Sequence, residues 1–228
     1  MTQLNIKPLS KICTLKANVV EQLREAIING DIPPRTKLIE TQLSKTLGVS
    51  RGPLREAIQQ LVEQGLIESI PYVGTYVTDI TVKKIQELYS FRTEIERFAF
   101  SLIWKKRTQL FYENIKIQHD RLTQAIKEKD STRTIFEELE LHSVVYNHCG
   151  HELLKENWQR LKSRLHLYFT LHQKAHNRSG PKINAHDTYV KLATSDDLNA
   201  MLSHVSEHMN QGYSKVEKYV HLIEQQLK

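Results

Sequence analysis

The chain has 228 residues, enough for one large domain or two small ones, and its 39% hydrophobic and 25% charged residues are ordinary for a soluble protein. No apolar run is long enough to span a bilayer, and residues 1–10 lack the apolar segment of a signal peptide, so a cytoplasmic protein with no membrane partner is expected. The net charge of +6 suits a polyanionic partner, but residues 1–80 carry nine Lys and Arg against eight Asp and Glu, so charge alone does not locate a nucleic-acid-binding half.

The first predicted helix runs from Leu15 to Asn29, where apolar residues recur every three to four positions. Residues 1–13 show no such period and are expected to form a mobile arm. A second, short helix follows Leu38 and ends at Gly48, where glycine can take a positive φ without steric cost. The two helices and this turn are typical of the first half of a helix-turn-helix.

The third helix begins near Arg51, after Ser50, whose hydroxyl is expected to accept a hydrogen bond from an amide of the first turn. Its apolar residues share one face, which leaves Arg51, Arg55 and Gln59 at spacings of four on the opposite face. The major groove of DNA admits one α-helix, and arginine can pair two donors with guanine O6 and N7 or with a phosphate. The polar face therefore predicts a recognition helix. The apolar set is Leu54, Ala57, Ile58, Leu61 and Val62.

A β-hairpin is predicted after the recognition helix, which Gly65 is expected to end. Its strands are Leu66–Ile70 and Thr75–Thr78, and the tip between them carries Tyr72 and Gly74. The tip would be the wing of a winged helix-turn-helix that contacts DNA. The alternative is an ordinary helical domain with a solvated basic face, but the turn, the cap, the polar face and the hairpin all favour the same fold.

The same stretch resembles the GntR-type bacterial transcription regulators. The motif SRGPLREA at residues 50–57 matches the family closely, as do IPPRTKL at residues 32–38 and GTYV at residues 74–77. Gly52 stands where the family usually has Thr, which removes a hydroxyl contact to DNA, and Pro34 replaces the usual Gly of a turn. The helix face and the resemblance together assign DNA binding to Arg35, Ser50, Arg51, Gly52, Arg55, Gln59, Tyr72 and Gly74.

Strand-like sequence stops near residue 80, and nearly all of the remaining chain has helical periodicity. We therefore predict a mainly α protein with two domains. Residues 1–80 would form the winged helix-turn-helix with its arm, and residues 81–228 a bundle of about six helices. The predicted helices are Val82–Lys106, Gln109–Lys129, Thr132–Cys149, Glu152–Ala175, Lys182–Ala193 and Asp196 to the C-terminus.

A metal site is the second functional hypothesis. Glu138 and His142 are four residues apart and share one helical face, while His186 and His208 lie on two later predicted helices. Side chains that project inward from facing helices form the metal and ligand sites of bundles. Imidazole with carboxylate suits a divalent ion such as Zn, Ni or Mn, and open coordination positions would leave room for a bound acid or water. Two distant cysteines, by contrast, indicate no cysteine metal site.

The same segments resemble the FCD domain, the all-helical effector-binding domain of the FadR-like branch of the GntR family. The resemblance implies that Glu138, His142, His186 and His208 hold a metal, with Glu138 where the family commonly has Asp. Histidine His204, one turn before His208, competes for the same helix face.

Arg92 resembles a family arginine and would clamp the carboxylate of an effector. The alternative for Arg92 is a surface ion pair with Glu96, four residues later.

The expected function is that of a ligand-responsive transcription regulator. As a homodimer it would bind a palindromic operator, because two recognition helices related by a two-fold axis read more sequence than one. An organic acid or sugar acid bound in the bundle would set its operator affinity. Two alternatives remain at this point: a metal-dependent enzyme, and a helical domain without metal that serves packing or protein contact.

Overall fold

The computed structural model describes residues 15–176 and 181–226. The predicted arm of residues 1–13 lies outside this range, as does Cys13.

The N-terminal part is the predicted winged helix-turn-helix. Helices α1 and α3 pack against each other through fully buried residues such as Ile27, Leu54 and Leu61, and Leu66 closes the core beneath the hairpin. Gly48 takes a φ of 65°, as the turn requires. The element boundaries agree with the predicted ones to within three residues. The elements are α1 Leu15–Ile28, α2 Glu40–Leu47, α3 Arg51–Glu63, β1 Ile67–Ile70 and β2 Gly74–Val77.

Residues 35–38 add a third segment to the sheet, which the sequence analysis did not predict. Strands β1 and β2 pair antiparallel, with Ile67 opposite Val77. On the other edge of β2, the amide of Leu38 donates to the carbonyl of Thr75 at 2.8 Å, and the amide of Val77 donates to the carbonyl of Thr36 at 3.0 Å. The hairpin is therefore fixed to the segment that leads into α2, so the wing and the helix-turn-helix form one unit.

The C-terminal part is a helical bundle, as predicted. Thr81, Thr108 and Asp130 cap the N-termini of α4, α5 and α6 with their side chains. None of the described helices is long and apolar enough to cross a membrane. The elements are α4 Val82–Ile103, a 3-10 turn Trp104–Lys106, α5 Gln109–Glu128, α6 Ser131–His148, α7 Glu152–His176, α8 Asp187–Ala193 and α9 Leu198–Gln226.

The predicted helix from Lys182 to Ala193 is wrong in its first five residues. The chain turns instead, with the amide of Ala185 donating to the carbonyl of Lys182 at 2.9 Å, and α8 begins only at Asp187. Ile183 is 47% exposed, so a helix over this stretch would bury little apolar surface. His186 consequently occupies the N-cap position of α8 rather than the middle of a helix.

Helix α7 of the bundle contacts the winged helix-turn-helix. The guanidinium of Arg164 lies against Gly65, where a Cβ would come within 1.9 Å of the Arg164 Nε. Gly65 also has a φ of 70°, which an L side chain rarely adopts, so this contact depends on glycine for two reasons. Farther along α7, the Leu171 side chain lies 3.4 Å from the position of a Cβ on Gly30. The two contacts place α7 against the residues that follow the C-terminal ends of α1 and α3.

Candidate DNA-binding surface and metal centre

The polar face of α3 lies at the surface. Arg51, Arg55 and Gln59 are all exposed along it, and nothing lies within 4 Å of the position that a Cβ would take on Gly52. Arg55 is held by Glu40 of α2, with 2.8 Å between its Nε and the carboxylate. Arg55 and Gln59 also line a cleft of about 1320 Å³ that α1 and α3 form with α6 and α7. The polar face of α3, which is predicted to contact DNA bases, is thus accessible, and part of it borders the bundle.

Ser50 occupies the predicted N-cap position, but its hydroxyl makes no capping hydrogen bond. Its backbone is extended, with a φ of −72° and a ψ of 162°, as an N-cap requires. The predicted cap is therefore right in position and wrong in its hydrogen bond. The exposed hydroxyl remains available to another acceptor or donor.

The wing tip projects fully into solvent. Tyr72 is fully exposed and has a φ of 61°, while Gly74 has a φ of 140°. Arg35 lies at the base of the wing with a φ of 65°, and its Nη2 lies 2.8 Å from the carboxylate of Asp79. The structure thus separates Tyr72 and Gly74 at the tip from Arg35, which is already engaged near the junction of the domains.

We expect Gly74→Val to weaken operator binding while leaving the oligomeric state unchanged. A Cβ at this position would lie 3.0 Å from the Lys37 Cε, and valine disfavours a φ of 140°, so the tip must shift. Strain at such a residue is typically about 1–3 kcal/mol, which the exposed tip can relieve by moving. Fluorescence anisotropy with labelled operator measures the DNA affinity, and light scattering measures the oligomeric state. Val73→Ala, which changes the same tip without straining the backbone, is the control, and equal loss of oligomer and DNA binding would show that Gly74 serves folding.

Three histidines meet inside the bundle. His142 comes from α6, His186 from the start of α8 and His208 from α9, and one ring nitrogen of each lies within 4.8 Å of the others. Their ring centroids are 4.8 to 5.5 Å apart. The structure therefore brings together three of the four residues that the sequence analysis assigned to a metal.

The histidines fit a divalent metal because burial favours their neutral form and because three of their ring nitrogens have no hydrogen-bond partner in the described residues. Burial lowers the pKa of His142 and His186 well below the usual value, and lowers that of His208 to about 3. The Nε2 of His142 and both ring nitrogens of His186 are buried without a hydrogen-bond partner in the described residues. A buried polar atom without a partner costs about 1–3 kcal/mol, and neutral imidazole lone pairs are what zinc and similar ions bind.

Glu138 and His204 lie at the edge of this group. The Oε1 of Glu138 is 3.6 Å from the His186 Nε2, but Glu138 does not belong to the set whose ligand atoms all lie within 4.8 Å. Burial raises the pKa of Glu138 to about 7, against the lowering effects of Arg92 and Lys215. The His204 ring is 5.8 Å from that of His208 and is also outside the set. Glu138 as a fourth ligand remains a prediction.

Glu96 is the residue of this site that the sequence analysis missed. Its Oε1 lies 2.8 Å from the His142 Nδ1 and accepts a hydrogen bond from the Tyr189 hydroxyl at 2.8 Å, while Tyr146 donates to its Oε2 at 3.4 Å. With a proton on Nδ1, the His142 Nε2 keeps its lone pair for the centre. A carboxylate behind a histidine ligand is the usual outer partner at metal sites, where it fixes the orientation of the ring.

Arg92 makes the ion pair with Glu96 that was considered for it, but the pair is buried and not at the surface. Its Nε lies 3.8 Å from the Glu96 Oε2, with side-chain exposures of only 3% and 0%, and its guanidinium lies 5.5 Å from the centre of the Trp158 ring. Arg92 thus pairs with Glu96 and also lines a cavity beside the histidines.

A cavity of about 440 Å³ adjoins the histidines. Its size falls in the range of about 300–1,000 Å³ that is usual for small-molecule sites. Helices α4, α6, α7 and α9 contribute to its wall, and α7 supplies Phe169, His172 and Gln173. Basic and acidic groups face the same space. They are Arg92, Glu138, Lys182 and Lys215.

Comparison with known proteins places this chain in a family. The family model described as bacterial regulatory proteins of the gntR family matches residues 15–77, and the model of the FCD domain matches residues 87–211. A winged helix-turn-helix followed by an FCD domain defines a class of transcription regulators. The chain belongs to the GntR family, in its FadR-like branch with an FCD domain. It is therefore a DNA-binding regulator and not the metal-dependent enzyme of the alternative hypothesis.

Individual relatives agree with this class. The gluconate operon transcriptional repressor of Bacillus licheniformis is 25% identical over 201 residues, which are 86% of this chain and 82% of the relative. The solved structure of E. coli McbR/YncC has a TM-score of 0.74 at 19% identity and covers 91% of this chain and 99% of its own. A GntR regulator from Rhodococcus sp. RHA1 has a TM-score of 0.68 at 23% identity, covering 90% and 96% of the two chains. At such identities the two structures establish the fold alone.

Proposed function

We propose that this cytoplasmic regulator binds a palindromic operator as a homodimer, and that a small carboxylate effector in the bundle changes its operator affinity. A divalent metal held by His142, His186 and His208, with Glu138 beside them, would assist effector binding. The observation that carries the proposal is the set of buried, neutral imidazole nitrogens without partners next to a cavity.

A homodimer is proposed because one recognition helix reads only a few base pairs, whereas two on a two-fold axis read a palindrome. The bundle offers apolar surface for a second copy. Phe91 and Phe98, seven residues apart on α4, are 46% and 47% exposed, and Leu110 and Ile117, seven apart on α5, are 58% and 49% exposed. Spacing by seven places each pair on one side of its helix, which suits packing against another helix.

The metal would be Zn, Ni or Mn, since imidazole ligands suit these ions and three protein ligands leave coordination positions open. Such an ion supplies a positive centre for a carboxylate oxygen. In this arrangement Glu96 holds His142 in the required tautomer, and Arg92 presents a guanidinium to the same cavity. If the histidines bind no metal, the alternative is a bundle that serves packing or protein contact, and metal analysis of protein purified without chelators separates the two.

The effector is proposed to be an organic acid or a sugar acid because Arg92 and Lys215 border the cavity. The Bacillus licheniformis relative represses a gluconate operon, which makes sugar acids the first class to test.

Effector occupancy can reach the DNA by three routes. Two of them are the segment from Asp79 to Lys83, which joins the two domains, and the dimer interface. Helix α7 adds a third, because it lines the cavity with Gln173 and contacts the DNA-binding domain with Arg164.

We expect a bound acid to change operator affinity by about 5–150-fold, the usual range of coupling between two sites. By linkage, operator DNA must change the affinity for the acid by the same factor. A thermal-shift screen of organic and sugar acids identifies the effector, and titrations of operator with and without it, and of the acid with and without operator, measure both factors. If no acid that binds the protein alters operator affinity, the proposed coupling is wrong.

A further inference from the structure

The ring of His186 is held in place through its backbone rather than through its own hydrogen bonds. Neither ring nitrogen of His186 has a hydrogen-bond partner in the part of the chain that the structure describes. Its carbonyl accepts from the Val190 amide at 3.0 Å, so its backbone is part of the first turn of α8. The ring of His142, by contrast, is oriented by Glu96. The position of the His186 imidazole therefore depends on the position of α8.

Helix α8 is too short to keep its position unaided. It has seven residues, Asp187–Ala193, whereas isolated helices shorter than about 12–15 residues are marginal in water. Near its middle, Tyr189 is fully buried and donates to Glu96 at 2.8 Å. At its start, the His119 Nε2 of α5 lies 3.1 Å from the Asp187 Oδ1, but the Asp187 side chain is 58% exposed. Such exposed pairs contribute little, so the two ends of α8 are not held equally.

Arg107 binds the C-terminal end of α8. This residue follows the 3-10 turn, and its side chain is only 5% exposed. Its Nη1 donates to the carbonyl of Ala193 at 2.8 Å and to that of Ser195 at 2.7 Å. The last carbonyls of a helix have no partner within it, and a positive charge there complements the helix dipole. The guanidinium thus ties the end of α8, and the turn after it, to the segment that leads into α5.

Trp104 fixes the guanidinium of Arg107 in this position. The Arg107 Nε donates to the carbonyl of Trp104 at 2.9 Å, and the guanidinium lies 3.6 Å from the centre of the Trp104 ring. An arginine over a tryptophan face is attracted by the ring electrons. Arg107 itself belongs neither to the group of three histidines nor to the wall of the cavity beside them. Any effect of Arg107 on the histidines must therefore pass through α8.

We propose that Arg107 is a positioning residue of the three-histidine centre, and that it acts through α8 on the His186 imidazole. Binding groups must be held within about 0.5 Å of the productive geometry. The apparent affinity of a site falls with the fraction of molecules in which its ligands are in place, so a helix in place about a tenth of the time binds about tenfold more weakly. This proposal rests on the metal of the proposed function and adds a residue outside the site that sets its affinity.

Arg107→Met tests the proposal, because methionine keeps an unbranched side chain beside Trp104 but donates to neither carbonyl. The zinc affinity of the full chain, measured by competition with a chromophoric chelator, should fall about tenfold, the lower end of the effect of outer residues at metal sites. The absorption spectrum of Co²⁺ bound in place of zinc should also change, which a loss of stability alone does not produce. Arg107→Lys keeps the charge but not the planar fork, so it should lose less affinity than Arg107→Met.

Arg97→Met is the matched control. Arg97 also donates from one part of the bundle to a carbonyl of another, that of Leu202 in α9, at 2.6 Å. Helix α9 has 29 residues and packs along α4, so it keeps its position without this bond. Arg97→Met should therefore bind zinc as the wild type does, even where its melting temperature falls.

The outcomes separate the proposal from the function on which it rests. Wild-type zinc affinity and an unchanged Co²⁺ spectrum in folded Arg107→Met overturn the proposal, and so does an equal loss of affinity in Arg97→Met. If Arg107→Met does not fold, wild-type affinity in Arg107→Lys overturns it instead. A wild-type chain that binds no zinc overturns the proposed metal itself, which none of the other outcomes does.

Discussion

Replacing His186 or His208 with alanine should abolish the response of operator affinity to the effector while leaving effector-free DNA binding at the wild-type level. The two residues supply buried ring nitrogens from different elements, α8 and α9, to the group that also contains His142. Without either one the proposed metal loses a ligand, and the two elements are no longer tied through it. The full coupling of about 5–150-fold should therefore disappear.

Operator affinity with and without effector, measured alongside bound metal by mass spectrometry, tests this expectation. His204→Ala is the matched control. His204 lies on the same helix one turn before His208 but outside the group of three histidines. The His204→Ala variant should therefore keep the response of operator affinity to the effector. If the His186 and His208 variants respond as the wild type does and no metal is present, the histidines are structural and the switch lies elsewhere.

The second large effect is expected on the recognition helix. Arg51→Ala and Arg55→Ala should each weaken operator binding by about 1–3 kcal/mol if the side chain contacts a base through two hydrogen bonds. If it contacts phosphate instead, the slope of log affinity against log salt should fall by about one unit. Arg55 starts from an ion pair with Glu40, so part of its gain on DNA is offset by the loss of that contact.

Anisotropy titrations at several salt concentrations distinguish the two kinds of contact. Arg121→Ala, which removes an exposed arginine from α5 of the bundle, should change neither affinity nor slope. Wild-type affinity in both α3 variants, with their fold intact by circular dichroism, would contradict the assignment of the reading face.

The helices were predictable because their apolar spacing, caps and breaks all act locally. Asp130 caps α6 with its own side chain, for example, and the Gly48 turn requires the backbone that glycine alone adopts readily. The segment of residues 35–38 was missed because it pairs with β2 through backbone hydrogen bonds, which leave no side-chain period in so short a run. The start of α8 was misplaced because periodicity does not reveal that Ile183 stays about half exposed.

The site was predictable only in part, for a similar reason. Spacing and family resemblance were sufficient for His142, His186 and His208 to be singled out. Glu96 could not be, because its partners His142 and Tyr189 are 46 and 93 residues away in the chain and meet it only in the folded bundle. Its spacing of four residues from Arg92 instead suggested a surface ion pair as one of two roles for Arg92, and spacing does not show whether such a pair is buried.

Helix α7 has little freedom to change in length between its two sets of contacts. Arg164 and Leu171 meet the DNA-binding domain, while Phe169 and Gln173 face the cavity. One inserted residue between Arg164 and Phe169 would rotate everything beyond it by about 100° and advance it by about 1.5 Å. The α7 side chains that line the cavity would then point away from it for as long as Arg164 stayed on Gly65. Insertions and deletions among relatives should accordingly fall before Arg164 or in the loops, and the register of this one helix should be kept even where its residues change.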